Sequence, residues 1–366
     1  MDHIAASKPG SRRRRILGLA SIGVGVVLLG AAGLLVWQHF TAPPVYRYVM
    51  GEPVPAAELG PLATLGADKV TVRRATVMSV DHPTPLADLE VAESAHGPVL
   101  VAWQPRVDDP FLTILPPAED IAALAPVLER HVTPETPVLA WWDSSRQMRM
   151  LSGVEVMFGQ HLGTPMFVPA RWRASRSSMQ SVERSFWKSG DVAQEQARFE
   201  SFAGALLADE DEGMAQLRAL AGGRKTVLVL HARDVILLGQ MAPKKIGVAF
   251  RDFGALGDVH GQVRRVHEWL DKEKYPAYTV LQHKDQPVRA VALTDEASAR
   301  TLIARLLPFM GNDQHDVKGA TLVYQVGGFS VYEIAAQAPA QAADQGAAAA
   351  PTQAAAATDS AAATRQ

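Results

Sequence analysis

Residues 137–153, "PVLAWWDSSRQMRMLSG", decide how the chain is read. Val138, Leu139 and Ala140 have the make-up of a short buried strand, and Ser144–Ser145 of the turn after it. Trp141, Trp142 and Asp143 then fall at the strand's carboxyl end, where open α/β sheets bind ligands. The following "RQMRMLSG" reads as a helix closing at Gly153.

Working outward, "KVTVRRATVMSV" (69–80) and "GPVLVAWQP" (97–105) are strand-like. "PAEDIAALAPVLERHV" (117–132) places Ile121, Leu124, Val127 and Leu128 at helical spacing behind acidic first-turn residues. "TPMFVPA" (164–170) suggests one more short strand, so residues 61–177 read as a first α/β portion. Residues 178–221 are helix-forming with phased Phe, Leu and Ala, a helical connection. Residues 222–334 return to alternation as a second α/β portion: strand "KTVLVL", helix "ARDVILLGQM", strand "KIGVAFRDFG" and amphipathic helix "DVHGQVRRVHEWLDKEK". Two strand pairs follow, the last turning at Gly327–Gly328. Residues 335–366, rich in Ala and Gln without a large apolar residue, are expected to be a disordered tail.

The N-terminal end has a different character. Residues 1–15 carry Lys8 and Arg12 to Arg15 against Asp2, a basic cytoplasmic segment. Ile16 to Trp37 is free of charge and as a helix would be about 33 Å long, enough to cross the hydrocarbon core of a bilayer. The arginines favour a cytoplasmic N-terminus, while Trp37, Tyr46 and Tyr48 suit the opposite interface. The competing reading, a cleaved signal peptide, would call for a shorter apolar core ending at an Ala-x-Ala site. Pro-rich residues 38–60 read as an extended linker. The expected architecture is a single N-terminal transmembrane helix in the inner membrane, then an exported, periplasmic mixed α/β domain divisible into two α/β portions.

Charge and composition narrow the function. The formal net charge of −2 leaves 31 basic and 37 acidic residues beyond residue 15, a mildly acidic domain that argues against nucleic acid and permits a basic protein partner. With no cysteine, haem attachment through Cys-x-x-Cys-His, iron–sulfur clusters, thiol nucleophiles and cysteine zinc sites are excluded. No nucleophile elbow, P-loop, His-Glu-x-x-His or dinucleotide fingerprint occurs, which favours an accessory or binding protein over a catalyst. No catalytic residue, metal ligand set or cofactor is assigned. His260 and His267 stand two helical turns apart, His267 and Asp271 lack a third ligand, and Asp209 to Glu212 read as a solvated helix end. His231, after an apolar strand and before Asp234, reads as hydrogen-bonded structure more than as a base.

The candidate ligand- or partner-binding residues are therefore Trp141, Trp142, Asp143 and Arg146. They read either as an aromatic platform with a hydrogen-bond acceptor, or as one buried and one half-exposed ring beside a capping aspartate. Arg146 can pair with Asp143 across one turn, and Arg149 is a second anion contact, both on what reads as a solvated helix face.

Two resemblances accompany these residues. "VLAWWDSSRQMRMLSG", with "SARTLIARLLPF" and "LVYQVGGFSVYEI", resembles the extracytoplasmic Trp-Trp-Asp domain of oligosaccharyltransferase catalytic subunits. That motif continues with Tyr and Gly where Ser144 and Ser145 stand here. The resemblance implies a non-catalytic peptide- or glycan-recognition domain, because the metal-binding carboxylates of those enzymes lie in a multi-spanning domain. The whole layout and "WWDSSRQ" (141–147) resemble the hydroxylamine oxidation accessory family, the HaoB-like proteins. That resemblance implies a membrane-anchored accessory protein of nitrogen metabolism. It would assist or dock a multihaem hydroxylamine oxidoreductase or another periplasmic cytochrome.

Overall fold

Strands from distant parts of the chain gather into three sheets in the computed structural model, which describes residues 24–37, 43–55, 58, 70–80, 83–107, 116, 118–164, 172, 175–254, 259–282, 287–312 and 315–336. The mixed α/β class read from the sequence is the class observed. Residues 24–37 form helix α1. The first sheet is an antiparallel meander in the order β1 (Tyr46–Pro53), β2 (Thr71–Ser79), β3 (Pro85–Ser94) and β4 (Gly97–Pro105). Its alternation buries Tyr46, Ala75, Val77, Ala87, Leu89 and Val91 on one face, against Met179 and Trp187. Strand β1 lies inside the stretch expected to be a linker; its Tyr-x-Tyr period of two packs inward despite the prolines around it. Strand β3 was not anticipated either.

Helix α2 (Ala118–His131) buries Ile121, Leu124, Ala125 and Leu128 on one stripe, with Glu119 and Asp120 in its first turn and Arg130 and His131 in its last, complementing the helix dipole. Strand β5 (Val138–Leu139) follows, then α3 (Trp142–Ser152), which closes at Gly153 in the left-handed region (φ 67°), its N–H bonded to Arg149 O. Ser144 and Ser145 are thus helical and not a turn, because the chain enters α3 two residues after the strand.

The helical stretch is α4 (Arg176–Phe186), α5 (Ala193–Leu207) and α6 (Glu210–Leu220), the last capped by Asp209, whose carboxylate accepts from Glu212 N. Next come β6 (Thr226–His231), α7 (Arg233–Met241), β7 (Val248–Phe253), α8 (Val259–Glu273), β8 (Ala277–Leu281), β9 (Val288–Leu293), two short helices α9 (Glu296–Ala299) and α10 (Leu302–Leu306), and the hairpin β10 (Ala320–Val326) and β11 (Phe329–Ile334). The order β10-β11-β6-β5 makes a mixed sheet in which β5 runs parallel to β6, and β7-β9-β8 is a separate antiparallel sheet. One sheet therefore takes strands from both portions drawn in the sequence. Every residue of β6 is buried, as expected of a strand covered on both faces.

The largest core cluster joins Trp141 and Trp142 to Phe158, Phe199, Phe202, Leu230 and the α10 leucines. The expected basic segment (1–15), most of the expected tail (337–366) and the suggested strand over 165–170 lie outside the described residues.

Candidate functional site

Parallel strands β5 and β6 both end beneath the start of a helix, α3 and α7, and this double strand end gathers the charged residues. Arg233, the first residue of α7, is 1% exposed. Its Nη2 donates to Asp143 Oδ1 at 2.5 Å and to Ser144 Oγ at 2.9 Å, and its Nε lies 3.4 Å from Asp234 Oδ1. Asp143 Oδ1 also accepts from Ser144 N at 2.7 Å, and Asp234 Oδ2 accepts from His231 N at 2.8 Å. One guanidinium thus holds two carboxylates from two different helices. Burial pushes Asp234 up to about 7, against the pull of Arg233 and the His231 N–H.

His231 is buried, and its Nδ1 accepts from Arg233 N at 3.1 Å, which leaves the ring proton on Nε2. The ring meets Phe329 edge-on at 4.6 Å. The β10–β11 turn closes over this place. A Cβ at Gly328 would fall on the His231 ring, and one at Gly327 (φ 55°) on the Asp120 carboxylate, so only glycines let the turn approach both.

Trp141 and Trp142 are 5% and 7% exposed. Trp141 packs edge-on against Phe199 at 5.0 Å, and Trp142 against His161 at 4.6 Å. Neither ring is open as a platform, and the half-exposed second ring expected from the sequence is instead core. Asp143, at 12% side-chain exposure, is engaged by Arg233. Arg146 is buried, contrary to the solvated face expected, and Arg149 is half-buried with Nη2 2.9 Å from His96 Nδ1.

The physical reason is that β4 is an outer strand of its sheet and needs partners for its free carbonyls. Arg146 Nη2 donates to Pro98 O, and Gln147 Nε2 donates to Leu100 O at 2.7 Å. Helix α3 thereby staples the meander to the mixed sheet. Burial lowers Arg146 to about 10, while Asp143 and Glu195 act in the opposite sense.

A second buried cluster lies behind Trp142. Glu183 of α4 is 2% exposed; its Oε1 accepts from Tyr46 and from Tyr48 (2.8 Å), and its Oε2 accepts from Trp187 Nε1 (2.8 Å). His161 stacks on Trp187 at 5.0 Å, and its Nε2 stands 3.8 Å from Glu183 Oε2. Burial raises Glu183 to about 7, opposed by its three hydrogen bonds, and burial together with Arg146 holds His161 well below the usual imidazole range. Tyr46 is thus an interior residue and not part of a membrane interface.

Among the described residues no group of three or more His, Asp or Glu side chains is placed to hold a metal ion. His267 contacts Tyr278, its Nε2 at 3.3 Å from the hydroxyl, and Glu210 of the acidic run meets His315 at 2.7 Å. The arrangement at the strand ends can clamp helices and store a proton.

The family described as "HaoA-associated protein HaoB" matches residues 10–334. The chain belongs to that family. No curated protein matches it. Among solved structures, the C-terminal domain of C. jejuni PglB is similar at 15% identity, with a TM-score of 0.32, over 58% of this chain and 98% of that one. In this family member, sequence reading found the Trp-Trp-Asp stretch but missed Arg233, Glu183 and His161. The available signal for Arg233 was "HARD", charges placed directly after a wholly apolar strand. Glu183 takes its hydrogen bonds from β1, 137 residues away in the case of Tyr46, and His161 meets Trp142 and Trp187 from two different helical segments, so no local pattern marks either.

Proposed function

We propose that the chain is a membrane-anchored periplasmic accessory protein of hydroxylamine oxidation that docks a multihaem hydroxylamine oxidoreductase. The family match over residues 10–334 carries this reading, since the family's description names association with HaoA. The folded part suits a scaffold: its strand-end charges pair with one another across two helices, and its signature tryptophans are packed away.

The anchor rests on sequence and exposure together. No helix among the described residues is long and apolar enough to cross a membrane. Helix α1 carries nine large apolar side chains, from Val24 to Trp37, each more than half exposed, and such a surface is stable in lipid and costly in water. Residues 16–23 of the apolar run lie outside the described residues.

The test is capture of purified hydroxylamine oxidoreductase by the full chain in lipid nanodiscs, with a periplasmic reporter fused after residue 60. Association at micromolar concentration and an active reporter are expected. No association would overturn the docking role, and a chain recovered free of membranes would overturn the anchor.

A further inference from the structure

We propose that Tyr46 and Tyr48, with Glu183 as proton acceptor, form a redox-active tyrosine pair that yields one electron to a one-electron-oxidising metal complex at the protein surface. The inference is a property of this chain alone and is tested without the docking partner.

The geometry is that of an electron donor with its base in place. Tyr46 and Tyr48 alternate to the same face of β1, and both hydroxyls donate to the same oxygen of Glu183. Among the described residues the carboxylate's one ion-pair candidate is His161, 3.8 Å away. That imidazole is neutral: Nδ1 accepts from Gly163 N at 3.0 Å, and burial and Arg146 oppose its charging. A buried carboxylate with no charged partner among the described residues is an expensive structural link, because a pair of apolar side chains would join β1 to α4 at lower desolvation cost. What a carboxylate adds is the capacity to take a proton from a phenol it already touches.

Simple ionisation of either tyrosine is blocked. A phenolate would sit in the core beside Glu183, and burial with that neighbour drives both hydroxyls far above the usual phenol range. An electron can therefore leave only together with the proton. In the step, the tyrosine O–H bond breaks, its proton forms an O–H bond on Glu183 Oε1, and one electron passes to the oxidant. The products are a neutral tyrosyl radical, a neutral glutamic acid and a metal complex reduced by one unit. Reduction of the radical returns the proton along the same hydrogen bond.

The rings provide the route. Tyr48, half-buried at the surface, stands 5.9 Å from Tyr46 and 5.8 Å from Trp187 between ring centroids. Trp187 continues through His161 (5.0 Å) to Trp142 (4.6 Å), so aromatic contact is unbroken from the surface to the strand end of β5.

The experiment oxidises the full chain with photogenerated tris(bipyridine)ruthenium(III) and follows the tyrosyl radical by electron paramagnetic resonance and transient absorption. Wild type is compared with Tyr46→Phe/Tyr48→Phe and Glu183→Gln, each checked by thermal melt. The expected result is a long-lived radical whose yield falls about tenfold in the double variant and whose rate of formation falls about tenfold in Glu183→Gln. A double variant with the wild-type yield and lifetime would assign the radical to Tyr275, Tyr278, Tyr324 or Tyr332 and overturn the proposal. So would a folded Glu183→Gln that oxidises at the wild-type rate. If Glu183→Gln does not fold, the double phenylalanine variant, which keeps the rings, decides alone.

Discussion

Replacing Arg233 by methionine keeps the side chain's length and removes its charge from a place that is 1% exposed. Asp143 and Asp234 then face each other without the cation that holds both, and Ser144 loses its donor. Removing one partner of a buried pair costs about 3–5 kcal/mol, because the remaining charge stays desolvated. For a chain of this size each kcal/mol moves the melting temperature by about 2 °C, so Arg233→Met is expected to melt about 6–10 °C lower at pH 7.

The sign of the pH dependence is set by Asp234, whose carboxyl is already raised to about 7 and rises further without Arg233. Between the ordinary aspartate value near 4 and that raised value, the folded variant binds a proton that the unfolded chain does not, so its stability falls as pH rises. The deficit against wild type should therefore shrink at pH 5. Urea unfolding of both proteins at pH 5 and 7 measures it. A deficit below about 1 kcal/mol at pH 7, or one that grows toward pH 5, would refute the view that Arg233 neutralises buried carboxylates.

Other outcomes follow from single contacts. Trp142→Ala should cost about 3–5 kcal/mol in urea unfolding, the cost of a core cavity, whereas an exposed ring would cost about 0.5. Gln147→Ala should cost about 1–3 kcal/mol by leaving Leu100 O unbonded at the edge of β4, with hydrogen exchange of the meander rising in step. Gly328→Ala should destabilise by about 1–3 kcal/mol, since its Cβ falls on the His231 ring; a neutral effect in a thermal melt would mean that the turn does not close there. Glu183, raised from 4.5 to about 7, should make stability fall by about 3 kcal/mol between pH 4.5 and 7, and Glu183→Gln should flatten that slope in pH-dependent unfolding.

The strands, helices and turns that local pattern specifies are legible in the sequence: α3 ending at Gly153, α2 with its apolar stripe, the apolar strand β6, and the hairpin turning at Gly327–Gly328. Each depends on neighbours within a few residues, and side-chain period and glycine chemistry report those directly. The Trp-Trp-Asp stretch was likewise visible as a strand end, and the uncharged run from Ile16 to Trp37 as a segment unlike the rest.

Whether a tryptophan faces solvent or core, and whether an arginine is a solvated face or a staple, depends on what lies opposite. That is decided by contacts 48 residues apart for Arg146 and Pro98, 90 for Asp143 and Arg233, and 137 for Tyr46 and Glu183. Such pairs leave no periodic trace, because the polar residue's partner is chosen by sheet order and not by spacing. The parallel pairing of β5 with β6 is what brings Asp143 to Arg233. The free edge of β4 is what turns Arg146 and Gln147 inward. Tertiary structure therefore puts a stretch that the sequence left open between recognition edge and packing into a buried clamp, for the physical reason that unmatched backbone carbonyls and charges must find partners when water is excluded.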